Sequence, residues 1–298
     1  MCGIVGLFLK DNSLQPILGR LLSDMLVTMT DRGPDSAGIA IYTDKHAGRS
    51  KFTIQSENAE RDFQGLPDYL DKHLDCILDF RINDTHAVVI LDQSVERSFS
   101  GVLKAFNPEI RIMSHGLALE IYKEVGLPKQ VTKRFQIAKM SGRHGIGHTR
   151  MATESAVTTL GAHPFNTGVD QCLVHNGSLS NHNSLRRKLK REGIQIETEN
   201  DTEVGAAYLT WKIQNGASLG EALESSLNDL DGFFTFLVGT ENGFGVVRDQ
   251  IACKPAVMAE TDQYVAFGSE YQALVGLPKI EGAHVWEPEP ATVYFWKH

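Results

Sequence analysis

Long apolar runs are missing from this sequence. The N-terminal stretch from Ile4 to Leu9 is too short for a secretory signal and has no basic flank, and no later stretch reaches membrane-spanning length. A cytoplasmic protein with no membrane partner is expected. Positive charge is also in short supply: 29 Lys and Arg stand against 37 Asp and Glu, a formal charge of −8. Nucleic acid and anionic lipid both reward a basic face, so neither is an expected partner. The cysteines are few and scattered, at positions 2, 76, 172 and 253, with no C-x-x-C pair. That excludes a disulfide scaffold and a cysteine-rich iron–sulfur centre within the chain. No P-loop and no phosphate-binding flavin barrel can be read either. What is present is 298 residues at 42% hydrophobic content, enough to bury a sizeable core and carry small-molecule chemistry.

The pattern along the chain predicts a strand over Cys2 to Leu9, then a helix over Leu14 to Met29 with Ile17, Leu18, Leu21, Leu22, Met25 and Leu26 on one face. The run Thr30-Asp31-Arg32-Gly33-Pro34-Asp35-Ser36 breaks that helix ahead of a strand at Ala37 to Tyr42. From about 43 to 142 the signals suggest an inserted subdomain or layer. Helices are expected there at Leu66 to Leu74, Ala118 to Val125 and Gln130 to Met140, and strands at Ala87 to Leu91 and Ile110 to Met113. Helices follow at Asn183 to Glu192, Thr202 to Gln214 and Leu219 to Leu227. The C-terminal part reads as strands at Phe233 to Gly239, Gly243 to Arg248, Ala256 to Glu260, Tyr264 to Gly268 and Ala291 to Trp296. A single domain over 1–298 bearing that insertion is the expected organisation.

Several short motifs could carry chemistry. Cys2 directly follows Met1, and removal of an initiator before a small residue leaves cysteine with a free α-amine. A thiol with a pKa of about 8.5 beside an amine of about 7.7–8.0 puts a nucleophile and its base on one residue. The bland alternative is an ordinary strand cysteine. Gly147-His148-Thr149-Arg150-Met151-Ala152-Thr153 ends a strand with an arginine suited to a bidentate carboxylate pair. His144 and His148 have metal-like spacing, but the glycines between them argue against a helix and no acidic ligand follows, so no metal is expected. His175-Asn176-Gly177-Ser178 offers a side-chain amide beside an unobstructed N–H, either an oxyanion hole or a hairpin turn. Asn200-Asp201-Thr202-Glu203 could be no more than a helix start capped by Asp201.

Taken together and in order, these motifs resemble the class II, N-terminal-cysteine glutamine amidotransferases. The resemblance rests on Cys2-Gly3-Ile4-Val5-Gly6, Arg32-Gly33-Pro34-Asp35-Ser36, Gly147 to Thr153, Ala162-His163-Pro164-Phe165, His175-Asn176-Gly177 and Asn200-Asp201-Thr202-Glu203. A weaker echo runs through Val247-Arg248-Asp249, Lys254-Pro255 and Gly268-Ser269-Glu270. The family implies an α+β four-layer αββα sandwich, the N-terminal-nucleophile hydrolase fold. It implies Cys2 as nucleophile with its own α-amine as base, and Asn176 with the Gly177 N–H as oxyanion hole. Arg150, assisted by Thr153, would hold the glutamine α-carboxylate and Asp201 the α-ammonium. Arg32 and His163 would support the pocket.

Two departures from the pattern stand out. The stretch from Ala37 to Ile146 is much longer than in the sugar-phosphate members, and position 200 is Asn where Thr is common. No synthase domain follows the closing strands, so a partner polypeptide is expected to hold the ammonia acceptor. The chain is similar to the stand-alone glutaminase-like subunit of glutamate synthase or N-methylglutamate synthase. That implies no cofactor in this chain, and FMN and iron–sulfur clusters in the synthase subunits. Two competing readings are another N-terminal-cysteine amide hydrolase, which lacks a use for paired Arg150 and Asp201, and a glutamine-binding scaffold subunit with little activity.

Overall fold

The computed structural model describes residues 2–152 and 156–298. Strand β1 (Gly3–Leu9) leads through a 3-10 turn to helix α1 (Leu18–Thr28), then β2 (Ser36–Tyr42) and β3 (Arg49–Gln55). Short α2 (Ala59–Asp62) and α3 (Leu66–Leu74) precede β4 (Asp79–Asn83) and β5 (His86–Asp92). Helix α4 (Glu96–Phe106), β6 (Arg111–Gly116), β7 (Leu119–Val125) and α5 (Pro128–Arg134) follow. Next come β8 (His144–Arg150), β9 (Phe165–Gly168), β10 (Gln171–Leu179), α6 (His182–Arg191), α7 (Asp201–Gln214) and α8 (Leu219–Asp229). The chain closes with β11 (Gly232–Thr240), β12 (Gly243–Arg248), β13 (Val257–Glu260), β14 (Tyr264–Gly268), β15 (His284–Trp286) and β16 (Val293–Lys297).

These strands make a seven-stranded sheet, β15-β13-β14-β1-β8-β2-β7, and a five-stranded sheet, β16-β12-β11-β10-β9. Side chains alternate across each strand, so each sheet has two apolar faces to bury. Between the sheets lie Ile4, Phe8, Ala40, Tyr42 and Ile146 from one and Cys172, Val174, Leu237, Phe244 and Val246 from the other. The outer face of the large sheet offers Val5, Leu7, Ile39 and Ile41 to Leu18, Leu22, Met25 and Leu26 of α1. The outer face of the smaller sheet packs Leu173, Phe234, Phe236 and Val238 against Val204, Ala207 and Tyr208 of α7 and Ala222 and Leu223 of α8. The result is the expected four-layer αββα sandwich.

A third sheet, β4-β5-β3-β6, covers its inner face with α3 and α4 through Phe52, Ile54, Leu66, Leu70, Val89, Phe99 and Leu103. The expected helix at Ala118 to Val125 is a strand instead. Its Ala, Leu, Glu and Lys favour a helix in isolation, but β7 pairs with β2 along its whole length, from Leu119 opposite Tyr42 to Val125 opposite Ser36, and tertiary pairing overrides propensity. Its charged residues are buried in partnership: Glu120 takes Lys51 at 3.1 Å and Arg81 at 2.7 Å. The helix expected over Gln130 to Met140 stops at Arg134, and Gln136 then turns left-handed at φ 52°. The helix expected from Leu14 begins as a 3-10 turn holding Pro16 and becomes α-helical only at Leu18. Among the described residues no helix is long and apolar enough to cross a membrane.

Asp170 ties the layers together. It sits in the β9–β10 turn at φ 51°, and its carboxylate accepts from the backbone N–H groups of Leu117, Ala118 and Leu119 at 2.6, 2.9 and 3.0 Å. Asp170→Ala strands those donors and places alanine in the left-handed region, so a stability loss of at least about 3 kcal/mol is expected. Asp170→Asn, which keeps one acceptor and tolerates that backbone, should lose clearly less. Urea unfolding checks both, and an unchanged midpoint for the alanine variant would refute the staple.

Candidate active site

Cys2 stands at the entry of β1, between β8 and β14. Two hydroxyls hold the start of that strand: Gly3 N–H donates to Thr149 Oγ1 at 3.2 Å and Ile4 N–H to Ser269 Oγ at 2.9 Å. The carbonyl of Cys2 accepts from Arg32 Nε at 3.0 Å and from Asn176 Nδ2 at 3.2 Å. Arg32 is fixed in turn by Glu270 at 2.6 Å. The Arg32 loop also binds the strand that carries Arg150, because Asp35 N–H donates to Arg150 O and Ala152 N–H to the Asp35 carboxylate. Gly33 fits only as glycine, since a Cβ there would lie 2.5 Å from the Thr149 carbonyl carbon.

A cavity of about 400 Å³ opens at Cys2 and is lined by Arg150, His163, Gly177, Asp201, Phe233 and Lys254 among others. Asn176 and Gly177 lie inside β10, where Gly177 pairs with Phe234, so the hairpin-turn alternative does not hold. Gly177 takes φ 151°, and a Cβ would come within 2.0 Å of the Phe233 carbonyl oxygen; no other residue fits.

The start of α7 also differs from its simplest reading. Asn200, not Asp201, caps the helix by accepting from Thr202 N–H at 2.9 Å. Asp201 is thereby released toward the cavity, with Oδ2 accepting from Leu179 N–H at 2.9 Å and its side chain partly exposed. The uncommon Asn at position 200 thus does the capping. Thr153 lies outside the described residues. Arg150 is buried and donates to Ala156 O at 3.3 Å. Lys254 was not singled out from the sequence for this pocket, yet it lines the cavity with its Nζ 4.8 Å over the Phe233 ring. The Lys254-Pro255 echo was the only signal for it.

Electrostatically the pocket is mixed. Burial pushes the Cys2 thiol up, opposed by a hydrogen bond from the Met151 backbone and by the charges of Arg150 and Lys254. Behind it lie three buried histidines. His148 donates to His175 O at 3.0 Å and stacks on His163 at 4.0 Å; His163 Nε2 and His175 Nδ1 share Thr202 Oγ1 at 2.7 and 3.0 Å. Burial lowers all three pKa values, His148 to about 3. His144 does not join His148 in a site: it stacks on Tyr42 at 4.1 Å and meets Thr240 O at 2.8 Å.

Comparison with known proteins bears on this geometry. The chain is 66% identical over its whole length, and over 99% of the relative, to the glutamine amidotransferase-like protein GlxB of Rhizobium meliloti (strain 1021). It is 33% identical to a putative glutamine amidotransferase of Methanothermobacter thermautotrophicus, covering 92% of this chain and 93% of that one. The chain belongs to the glutamine amidotransferase family. The family model described as a glutamine amidotransferase domain matches residues 148–276 of this amidotransferase. Its likeness to the glutamine–fructose-6-phosphate aminotransferase of Aliivibrio fischeri, 36% identity, covers 39% of this chain and 19% of that protein. Among solved structures, the glutamine phosphoribosylpyrophosphate amidotransferase from B. subtilis, complexed with ADP and GMP, aligns over 99% of the chain at a TM-score of 0.63 and 20% identity. The amidotransferase chain described here spans 47% of that larger chain, and at this identity the match establishes the N-terminal-nucleophile fold alone.

The buried histidines set a pH dependence. In the unfolded chain each titrates near 6.5; in the fold each is held neutral, so their stabilising contribution is complete above pH 6.5 and is lost as pH falls toward the lowered folded values. His148 alone should remove about 1.4 kcal/mol per pH unit below 6.5. Denaturant unfolding at pH 7, 6 and 5 should show this steep loss, and a flat profile would contradict neutral burial.

Proposed function

We propose that this chain is a class II glutaminase that hydrolyses glutamine through a Cys2 thioester and passes ammonia to a synthase on another polypeptide in the cytoplasm. The observation that supports this reading best is the single cavity shared by a strand-start cysteine, a buried arginine and a half-free carboxylate. A zwitterionic amino acid needs one fixed cation and one fixed anion a ligand's length from the reacting carbonyl. Arg150, with Thr153, takes the α-carboxylate, and Asp201 takes the α-ammonium.

Removal of Met1 makes the α-amine of Cys2 the general base. The amine accepts the thiol proton as Sγ attacks the γ-carboxamide carbon. Oxyanion charge then develops between the Gly177 N–H and Asn176 Nδ2, which has a second proton beyond the one it gives the Cys2 carbonyl. Collapse breaks the C–N bond, and ammonia leaves with the proton held by the amine. Water hydrolyses the thioester to glutamate and frees the thiol. Arg32 holds the Cys2 carbonyl in place, and His163 supports the start of α7 through Thr202.

Cys2→Ala should abolish glutamine hydrolysis with the melting temperature unchanged, and Cys2→Ser should retain only traces, because a hydroxyl is far less ionised than a thiol near neutral pH. Full turnover by the alanine variant, or by protein retaining Met1, would end this mechanism.

The partner in this proposal is a glutamate-synthase-like or N-methylglutamate-synthase-like assembly whose other subunits carry FMN and iron–sulfur clusters. The third sheet supplies its docking face, with Ile77 and Ile82 largely exposed beside the edge strand β4. Replacing both by Ser should leave glutamine hydrolysis intact but suppress glutamine-dependent synthesis in a reconstituted complex, with added ammonium restoring it. Equal loss with glutamine and ammonium, or no loss with either, would remove this face from the interface.

A further inference from the structure

Lys123 is the buried cation that the chemistry above leaves unused. It lies on β7, opposite Gly38 of β2, and helps line a cavity of about 460 Å³ between the third sheet, β9 and the connection from α6 to α7. Its Nζ donates to the carbonyls of Leu160, Ala162 and Pro164 at 3.1, 2.8 and 3.2 Å. An ammonium has three protons, and these acceptors engage all of them. The Phe165 ring lies 4.5 Å from the same nitrogen. Among the described residues no carboxylate forms an ion pair with it; burial lowers its pKa to about 7, opposed by the charges of Glu203 and Glu197.

Burying an ammonium without an ion-paired carboxylate is costly, a cost that three accepting carbonyls offset only in part. The segment that Lys123 holds explains its use. That segment carries His163, whose ring reaches Thr202 beside Asp201, and its earlier part supplies the Ala156 carbonyl that accepts from Arg150. It is also wedged against β2: a Cβ on Gly38 would come within 2.1 Å of the His163 carbonyl oxygen. One strand residue therefore fixes, through three carbonyls, the backbone that reaches both ends of the zwitterion site.

We infer that Lys123 is a positioning residue for glutamine binding, clamping the 156–165 segment so that Arg150 and the start of α7 meet the two charges of the amino acid. The inference rests on the assignment of Arg150 and Asp201 to glutamine. It separates a residue that touches no substrate from the residues that do, and it ties affinity for the amino acid to a strand lying next to the third sheet.

Steady-state hydrolysis of glutamine by the full chain with Met1 removed tests it. Lys123→Met fills the volume without the cation. It should raise KM about tenfold or more while kcat stays within about threefold, the signature of lost binding without lost chemistry; its melting temperature should fall because three carbonyls lose their donor, so KM is read where the variant stays folded. Lys123→Ala should show the same KM defect and recover when n-propylammonium, the missing fragment of the side chain, is added. Propanol should not rescue it, and wild type under the same amine provides the baseline. Gly38→Ala would set a methyl 2.1 Å from the His163 carbonyl oxygen and 2.5 Å from the Lys123 Cβ, so it disturbs the segment and its clamp together and should shift KM in the same direction.

An unchanged KM in Lys123→Met with wild-type hydrolysis intact overturns the inference and leaves the active-site assignment standing. So does a fall in kcat at constant KM, or rescue by propanol as good as by the amine. A wild-type chain that neither hydrolyses nor binds glutamine removes the active-site assignment, and the role of Lys123 falls with it. If both Lys123 variants fail to fold, Lys123→Gln, whose amide can donate to only part of the carbonyl cluster, decides: a raised KM at wild-type kcat supports the clamp, and a wild-type KM overturns it.

Discussion

The carbonyl oxygen of Cys2 is the point on which the architecture converges. It accepts from Arg32, which the loop after α1 supplies, and from Asn176, which belongs to the opposite sheet. A strand at the very start of a chain would ordinarily fray, because terminal residues make few contacts. Here the first residues are held from three directions: by a hydroxyl of β8, by a hydroxyl following β14, and by an amide reaching across from β10. Two stacked sheets can slide relative to each other when only apolar side chains separate them. A directional bond at one end removes that freedom where the Cys2 thiol meets the cavity.

Much of this could be read in the sequence, and the parts that could differ in kind from those that could not. Helix α1 was legible because its apolar residues recur at a helical period, and β11 to β14 because they run almost unbroken apolar, burying both faces. The motif residues were legible because they form uncommon combinations, such as His148-Thr149-Arg150 at the end of β8. β7 was not, since its Glu120, Lys123 and Glu124 are buried by ion pairs and carbonyls that come from distant parts of the chain. Local pattern carries no trace of such partners. β3, β4 and α4 were not foreseen either, although they share a small separate core with α3 and β5, which were.

The same distinction runs through the pocket. Asp201 could be placed at a helix start from sequence, but its release from capping depends on Asn200 adopting an extended backbone and taking the Thr202 N–H itself. Lys254 was out of reach because it arrives from the loop between β12 and β13, far along the chain from every other lining residue. Thr202 passed as a helix-start residue although its single hydroxyl joins two rings from different segments. Polar groups that act by bridging are hard to foresee, because nothing in their own neighbourhood records the second partner.

The third sheet and the sandwich part company at an uneven seam. Strands β3 to β6, with α2 to α4, form one body from Arg49 to Gly116, while β7, only a few residues on, is hydrogen-bonded along all of β2. Anyone wishing to graft this layer elsewhere, or to trim the protein to its smallest form, must cut before β7. A deletion carried through to residue 142 would leave β2 as a bare sheet margin lined with unpaired N–H and C=O groups, an open invitation to strand exchange between neighbouring molecules. The portable module is therefore shorter than the stretch of unfamiliar sequence that announces it.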